Sequence, residues 1–234
     1  KIGVSNRHVH LSPAHVKALF GTDALSVERT LTQPGQFAAK EAIDVVGPRG
    51  RLTRLRVVGP ARGETQVELA QSDTREIGVT APVAASGSLK SSAGGVTLVG
   101  PAGSVALDRG VIVAARHLHL SPDDARRWGL RDGDKLDVRV GSGARGAVLH
   151  DVLVRSGPGH ATELHLDTDE ASAVGVKTGD RASIVAWRST AGGKRQLLTE
   201  RDVIELARRQ ESIPDNALLT PSARDRARAL HLLT

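Results

Sequence analysis

One short block occurs twice in this chain, and that recurrence limits what it can fold into more than any other feature. Arg7-His8-Val9-His10-Leu11-Ser12-Pro13 returns as Arg116-His117-Leu118-His119-Leu120-Ser121-Pro122, an offset of 109 residues. A second block, Val67 to Val79, aligns with Leu164 to Val176 at an offset of 97 residues. The two offsets describe two related halves, the first of which carries roughly a dozen extra residues between its blocks. Those extra residues include Gln33-Pro34-Gly35-Gln36-Phe37, whose Pro-Gly centre reads as a loop.

Local patterns fill in the halves. Val45-Val46-Gly47-Pro48-Arg49-Gly50 and Leu98-Val99-Gly100-Pro101-Ala102-Gly103 are apolar runs entering Gly/Pro turns, which predicts hairpins. Lys135 to Val140 alternates at period two, as a half-buried strand does. Ser12-Pro13 and Ser121-Pro122 each offer an N-cap followed by proline in the first turn, predicting helices up to Phe20 and Trp128, each ending near a glycine. Many short strands with glycine-rich turns and a few helices predict a mainly β fold built as small barrels or a sandwich. The repeat divides the chain into residues 1–110 and 111–193. Residues 194–234 have no counterpart in the first half and read as an appended helical arm. There Thr199 caps a run with Val203, Leu206 and Ala207 on one face, and Thr220-Pro221 starts a second run with Ala223, Ala227 and Leu230 on one side.

Composition narrows the chemistry. The 234 residues contain no cysteine, which excludes disulfides, thiolate nucleophiles, Cys-based zinc sites and iron–sulfur clusters, so any metal must sit on His, Asp or Glu. A net charge of +6 suits an anionic partner. Only Phe20, Phe37, Trp128 and Trp187 are aromatic, with no interleaved ladder and no long Lys/Arg run, so nucleic acid is not the expected partner. No apolar run approaches the ~20 residues a membrane-spanning helix needs, and no membrane association is expected.

The histidines carry the chemical signal. Residues i and i+2 of a strand face the same side, so both imidazoles of His-x-His can converge on one cation. The 97-residue offset places Glu68 opposite His165. Each half then supplies three ligands: His8, His10 and Glu68 in one, His117, His119 and His165 in the other. Three protein ligands leave a fourth position open, the pattern of a catalytic metal site. The competing reading makes the repeated motif a helix-entry device, Glu68 a surface charge beside Arg62, and His165 an ordinary strand histidine. His15, His150, His160 and His231 read as surface residues. Arg7, Arg62 and Arg116 offer forks for an anion, and Ser86-Gly87-Ser88 is a small polar loop able to contact one. No P-loop, Rossmann fingerprint or nucleophile elbow occurs.

Several blocks in order then resemble one family. Val4 to Ser12, Gln33 to Ala38, Gly59 to Glu68, Gly110 to His119 and Leu164 to Ala171 look like the phosphate propanoyltransferases of bacterial microcompartments, with similarity running from Lys1 to about Trp187. The resemblance implies reversible acyl transfer, acyl-CoA + Pi ⇌ acyl phosphate + CoA. It implies two small β-barrels from an internal duplication, capped by short helices, with the N-terminal strand completing the barrel otherwise built from the second half. It implies two zinc ions, one on His8, His10 and Glu68 and one on His117, His119 and His165. The family's phosphate-contacting arginine falls on Arg62, and Ser86 matches a small polar position nearby. Gln33, Gln36 and Phe37 are expected to help line the groove for coenzyme A. The arm looks like segments appended to several microcompartment-associated proteins, which implies shell or cargo partners inside a microcompartment of the bacterial cytoplasm; a homo-oligomer is compatible with this. Two other classes stay open: a metal-dependent phosphoester or thioester hydrolase, which would act without phosphate as acceptor, and a metal-binding assembly protein without turnover.

Overall fold

The computed structural model describes residues 1–188, 194–195, 197–214 and 217–233. These are mainly β, with six helices and a sheet curled into a half-barrel. β1 (Ile2–Ser5) and β2 (His8–His10) lead into α1 (Pro13–Phe20), followed by β3 (Val27–Thr30), β4 (Phe37–Val46), β5 (Arg51–Gly59), β6 (Gln66–Leu69) and α2 (Gln71–Ile77). β7 (Val83–Ala84), β8 (Val96–Val99), β9 (Ser104–Leu107) and β10 (Val111–Ala114) come before β11 (His117–Leu120) and α3 (Pro122–Trp128). β12 (Lys135–Val140), β13 (Ala147–Ser156) and β14 (Glu163–Asp167) precede α4 (Thr168–Val174), with β15 (Ser183–Arg188) and β16 (Lys194–Arg195) after it. The arm holds β17 (Leu197–Leu198), α5 (Glu200–Arg208), β18 (Leu218–Leu219) and α6 (Pro221–Ala229). The boundary expected at 193/194 adjoins residues 189–193, which lie outside the described residues.

Two large sheets organise these strands. One runs β7-β10-β6-β2-β5-β4-β8-β9 with β3 on β4, the other β1-β14-β11-β13-β12-β15-β16. The runs β6-β2-β5-β4 and β14-β11-β13-β12 place each His-x-His strand next to the strand of its third candidate ligand and beside a long strand parallel to it. β10 directly precedes β11 in the chain yet lies parallel to β6, while β1 directly precedes β2 yet lies beside β14. Each sheet thus takes the strand that leads into the other sheet's His-x-His. Compact units group residues accordingly: Ile2–Arg116 with His165–Thr178, and His117–Leu164 with Gly179–Thr234 and Lys1, the dividing line passing through β14.

Within the first unit, strand alternation separates core from chemistry. Val9 and Leu11 are fully buried in a core with Val16, Leu19, Ile43 and Val57, while His8 and His10, offset by one, face the other side of β2. Helix α1 follows at once because Ser12 accepts a hydrogen bond from the His15 amide at 3.3 Å and Pro13 needs no partner for its nitrogen. Gly21, with φ of 73°, ends it in the left-handed conformation that glycine adopts without strain. α3 is built the same way from Ser121, Pro122 and Gly129.

Both Val-Gly-Pro-x-Gly turns lean on the end of a helix. The Arg49 amide donates to Ile77 O of α2 at 3.0 Å, and the Ala102 amide donates to Leu19 O of α1 at 2.9 Å, satisfying terminal carbonyls that the helices leave open. The approach is so close that a Cβ on Gly47 would lie 2.4 Å from Ile77 O, and one on Gly100 would lie 2.4 Å from Leu19 O. The arm has its own small core of Leu198, Val203, Leu219, Ala223 and Ala227, with β17 parallel to β18. Among the described residues no helix is long and apolar enough to cross a membrane. A Gly100→Ala substitution is expected to destabilise the protein by about 1–3 kcal/mol through overpacking, read as a lower denaturation midpoint at unchanged slope; an unmoved midpoint would show that the turn yields freely.

Candidate metal centre

The register of β2 against β6 builds the first site. The strands are antiparallel with His8 opposite Glu68 and His10 opposite Gln66. Directly opposed residues share a face, so Glu68 joins the two imidazoles on the side away from the core. His8 Nδ1 lies 2.8 Å from Asn6 O and His10 Nδ1 lies 3.0 Å from Val58 O. A carbonyl only accepts, so each Nδ1 carries the proton, and both Nε2 atoms turn lone pairs toward one another across 3.2 Å. Two lone pairs at that distance repel unless a cation or a proton lies between them. Histidine whose other nitrogen is tied to a backbone carbonyl is the usual state of a metal ligand.

Glu68 completes the group. Its Oε2 is 3.7 Å from His8 Nε2 and its Oε1 is 3.7 Å from His10 Nε2. One ligand atom from each of His8, His10 and Glu68 lies within 4.8 Å of the others. This donor set, two neutral imidazoles and a carboxylate, fits zinc. The carboxylate is only 6% exposed, so the reading of Glu68 as a surface charge does not hold. It accepts hydrogen bonds from the Gln66 amide and from Ser86 Oγ at 2.7 Å. Arg62 Nη1 in turn donates to Ser86 Oγ at 3.4 Å, so Arg62, Ser86 and Glu68 stand together.

Gln66 is the residue that sequence reasoning missed. It is 2% exposed, and its amide nitrogen donates to both Glu68 and Ser86 while its carbonyl oxygen accepts from the Gly87 amide at 2.7 Å. It ties the polar loop to the third ligand. The available signal was its place two residues before Glu68, on the same face of β6.

The second group repeats the geometry with a different third residue. His117 Nε2 and His119 Nε2 are 3.1 Å apart, and ligand atoms of His117, His119 and His165 all lie within 4.8 Å of one another. His160, read from sequence as a surface residue, instead sets its ring 4.4 Å from that of His119 and holds Arg155 O with Nδ1 at 3.0 Å. The turn at Gly157–His160 folds it back, which no local motif announces. His15 is likewise half-buried, with Nδ1 2.7 Å from Thr65 Oγ1, whereas His150 and His231 are exposed. Gln33 is buried and Gln36 and Phe37 are half-buried at the β3–β4 hairpin, where the Leu31 amide donates to Gln36 O at 3.0 Å. The Phe37 ring lies where a Cβ on Gly59 would be, 2.3 Å from its nearest atom.

Charges at the first site are far from their ordinary values. Burial first, then the neighbouring His8 and Arg62, draws the His10 pKa from 6.5 down to about 3. Burial alone would raise Glu68, but His8, His10, the Ser86 hydrogen bond and Arg62 outweigh it and bring the carboxyl from 4.5 down to about 2. In both cases the unfolded chain binds the extra proton, so acid favours unfolding of the metal-free protein. The contribution of His10 is lost as pH falls from 6.5 toward about 3, and that of Glu68 from 4.5 toward about 2. The melting temperature of metal-free protein is therefore expected to fall between pH 6.5 and 4.5, with His10→Gln flattening that slope. An equal slope in the variant would remove His10 from this account.

Comparison with known proteins follows the same residues. Residues 1–177 match the family model described as phosphate propanoyltransferase. The phosphate propanoyltransferase of Rhodopseudomonas palustris is 48% identical over 164 residues, covering 70% of this chain and 72% of that protein. Its namesake in Rhodobacter capsulatus is 49% identical over 164 residues, 70% of this chain and 75% of that protein. The one from Salmonella typhimurium is 42% identical over 163 residues, 70% and 77% respectively. The protein is therefore an enzyme of the phosphate acyltransferase class. Within that class the chain belongs to the phosphate propanoyltransferase family.

Proposed function

We propose that the enzyme moves a short acyl group, acetyl or propanoyl, reversibly between coenzyme A and phosphate with the help of two zinc sites, acyl-CoA + Pi ⇌ acyl phosphate + CoA. The observation that carries the metal part is the pair of Nε2 atoms 3.2 Å apart, each with its Nδ1 proton tied to a carbonyl. Zinc held by His8, His10 and Glu68, and by His117, His119 and His165, would supply positive charge and a Lewis acid for an oxygen or sulfur ligand. Arg62 presents a planar guanidinium suited to phosphate oxygens, and its bond to Ser86 Oγ orients it over the Glu68 side of the site. Phosphate so held attacks the thioester carbonyl, the C–S bond breaks, and the pair of electrons leaves on the CoA sulfur. Direct attack needs no protein nucleophile, and a trapped acyl-enzyme would overturn that route. Gln33, Gln36 and Phe37 belong to the proposal as the coenzyme A side of the site. So does the division into two duplicated β-barrels, residues 1–110 and 111–193, with residues 194–234 appended.

The test is release of free CoA from acetyl-CoA and propanoyl-CoA, with and without phosphate, by zinc-replete protein and by a His117→Ala, His119→Ala double variant. Release is expected to require phosphate and to vanish in the variant, and the two wild-type rates rank the acyl groups. Release that ignores phosphate would point to a thioester hydrolase instead.

The arm's separate core supports a packaging role with shell or cargo proteins of a bacterial microcompartment. Removing the residues after Lys194 is expected to leave phosphate-dependent CoA release intact while reducing co-sedimentation with assembled shells. Loss of all activity would refute a purely packaging arm.

A further inference from the structure

We propose that Arg7 and Arg116 are positioning residues for the two candidate metal groups, each bracing a third ligand against its His-x-His strand through a carboxylate in the helix after that ligand. The inference rests on the metal reading above and adds residues outside the ligand sets. Arg7 directly precedes His8, and its Nη1 lies 2.7 Å from Asp73 Oδ1. Asp73 is the third residue of α2, the helix that follows the strand of Glu68. Its other oxygen accepts from the Ala70 amide at 3.0 Å, so one carboxylate both caps the β6–α2 junction and takes the arginine. Asp73 is 7% exposed. A carboxylate so buried needs its partner.

The same arrangement recurs. Arg116 directly precedes His117, and its Nη1 lies 2.8 Å from Glu170 Oε1. Glu170 is the third residue of α4, the helix that follows the strand of His165. Arg7 and Arg116 are related by the 109-residue offset of the histidine pairs, and Asp73 and Glu170 by the 97-residue offset of Glu68 and His165. The bridge therefore joins the two repeated blocks in each half, the block bearing two histidines to the block bearing the third ligand. The α2 and α4 starts are also tied to each other, with the Ser72 amide and hydroxyl donating to Asp169 at 2.8 and 2.7 Å. Arg7 and Arg116, which as single residues read from sequence as salt-bridge partners or as forks for an anion, are given to carboxylates here.

Such a brace matters because a metal group tolerates errors of only ~0.2 Å in its ligands. Charge-assisted bonds near 2.7 Å are about twice as strong as neutral ones and so favour one position of the strand-to-helix junction. The arginines act through the chain on either side of the ligands.

The experiment isolates each group. A His117→Ala, His119→Ala parent keeps only the first triad, and a His8→Ala, His10→Ala parent keeps only the second. Arg7→Met, Arg7→Lys, Asp73→Asn and Arg116→Met are placed in each parent, and zinc affinity is read by competition with a chromophoric chelator. Thermal unfolding of the zinc-free proteins is recorded alongside. Arg7→Met and Asp73→Asn are expected to weaken zinc by ~10–100-fold in the first parent, the usual effect of losing an outer support of a ligand. Arg116→Met is expected to leave that parent's affinity unchanged and to weaken the second, while Arg7→Lys keeps most of the affinity. A drop in zinc-free melting temperature with unchanged zinc affinity would make the pairs merely structural and overturn the proposal. Failure of either parent to bind zinc would instead bring down the metal reading for that triad, and the brace with it. Should Arg7→Met not fold, Asp73→Asn and Arg7→Lys decide the first brace.

Discussion

The first site depends on two hydrogen bonds that look incidental, from His8 Nδ1 to Asn6 O and from His10 Nδ1 to Val58 O. They choose the tautomer. With the protons fixed on Nδ1, both Nε2 lone pairs must point into one small volume, where a bound cation would relieve the repulsion between them. The rest of the structure maintains that arrangement. β5 lies parallel beside β2 and brings the Val58 carbonyl within reach, and β6 on the other side presents Glu68 at the matching register. The buried row Val9, Leu11 and Val57 anchors the opposite face, so the histidines cannot turn away without exposing core.

Around this kernel, neutral and charged groups divide the work. Gln66 has two donors and an acceptor, and each goes to a different member of the site, Glu68, Ser86 and the Gly87 amide. A carboxylate in that position would repel Glu68, and an apolar residue would leave the loop unattached. The amide orients Glu68 without adding charge. The third ligand differs between the two groups, carboxylate in one and imidazole in the other. A dication bound at the first would retain one less unit of positive charge than at the second, so the two positions would not attract anions equally.

Much of the local structure was legible because its causes are local. Helices α1 and α3 end where Ser-Pro and glycine say they should, since caps and left-handed turns act over one or two residues. The ligand sets were legible because the repeat aligned Glu68 with His165. Helices α2 and α4 were not, being two turns each and too short to display a 3.6-residue period. Apart from the N-terminal strand, which the family resemblance sets with the second half, sheet order was also hidden. Nothing near β10 announces that its neighbour is β6, because pairing across such distances is decided by burial of both faces and not by any nearby residue. His160 escaped for a similar reason, since its contact with His119 exists only after the chain has turned at Gly157.

The exchange of leading strands also bears on how the molecule is made. β1 leaves the ribosome about 160 residues before its sheet neighbour β14. Until then Ile2, completely buried in the finished protein, has no sheet to enter. Over that interval the growing chain carries an exposed strand edge, which favours slow closure and invites pairing with a neighbouring nascent copy. The sheet of β2 to β10 has all its strands once Ala114 is made, whereas the other waits for β14 to β16, so the two close at different times in an architecture in which neither half owns all of its strands.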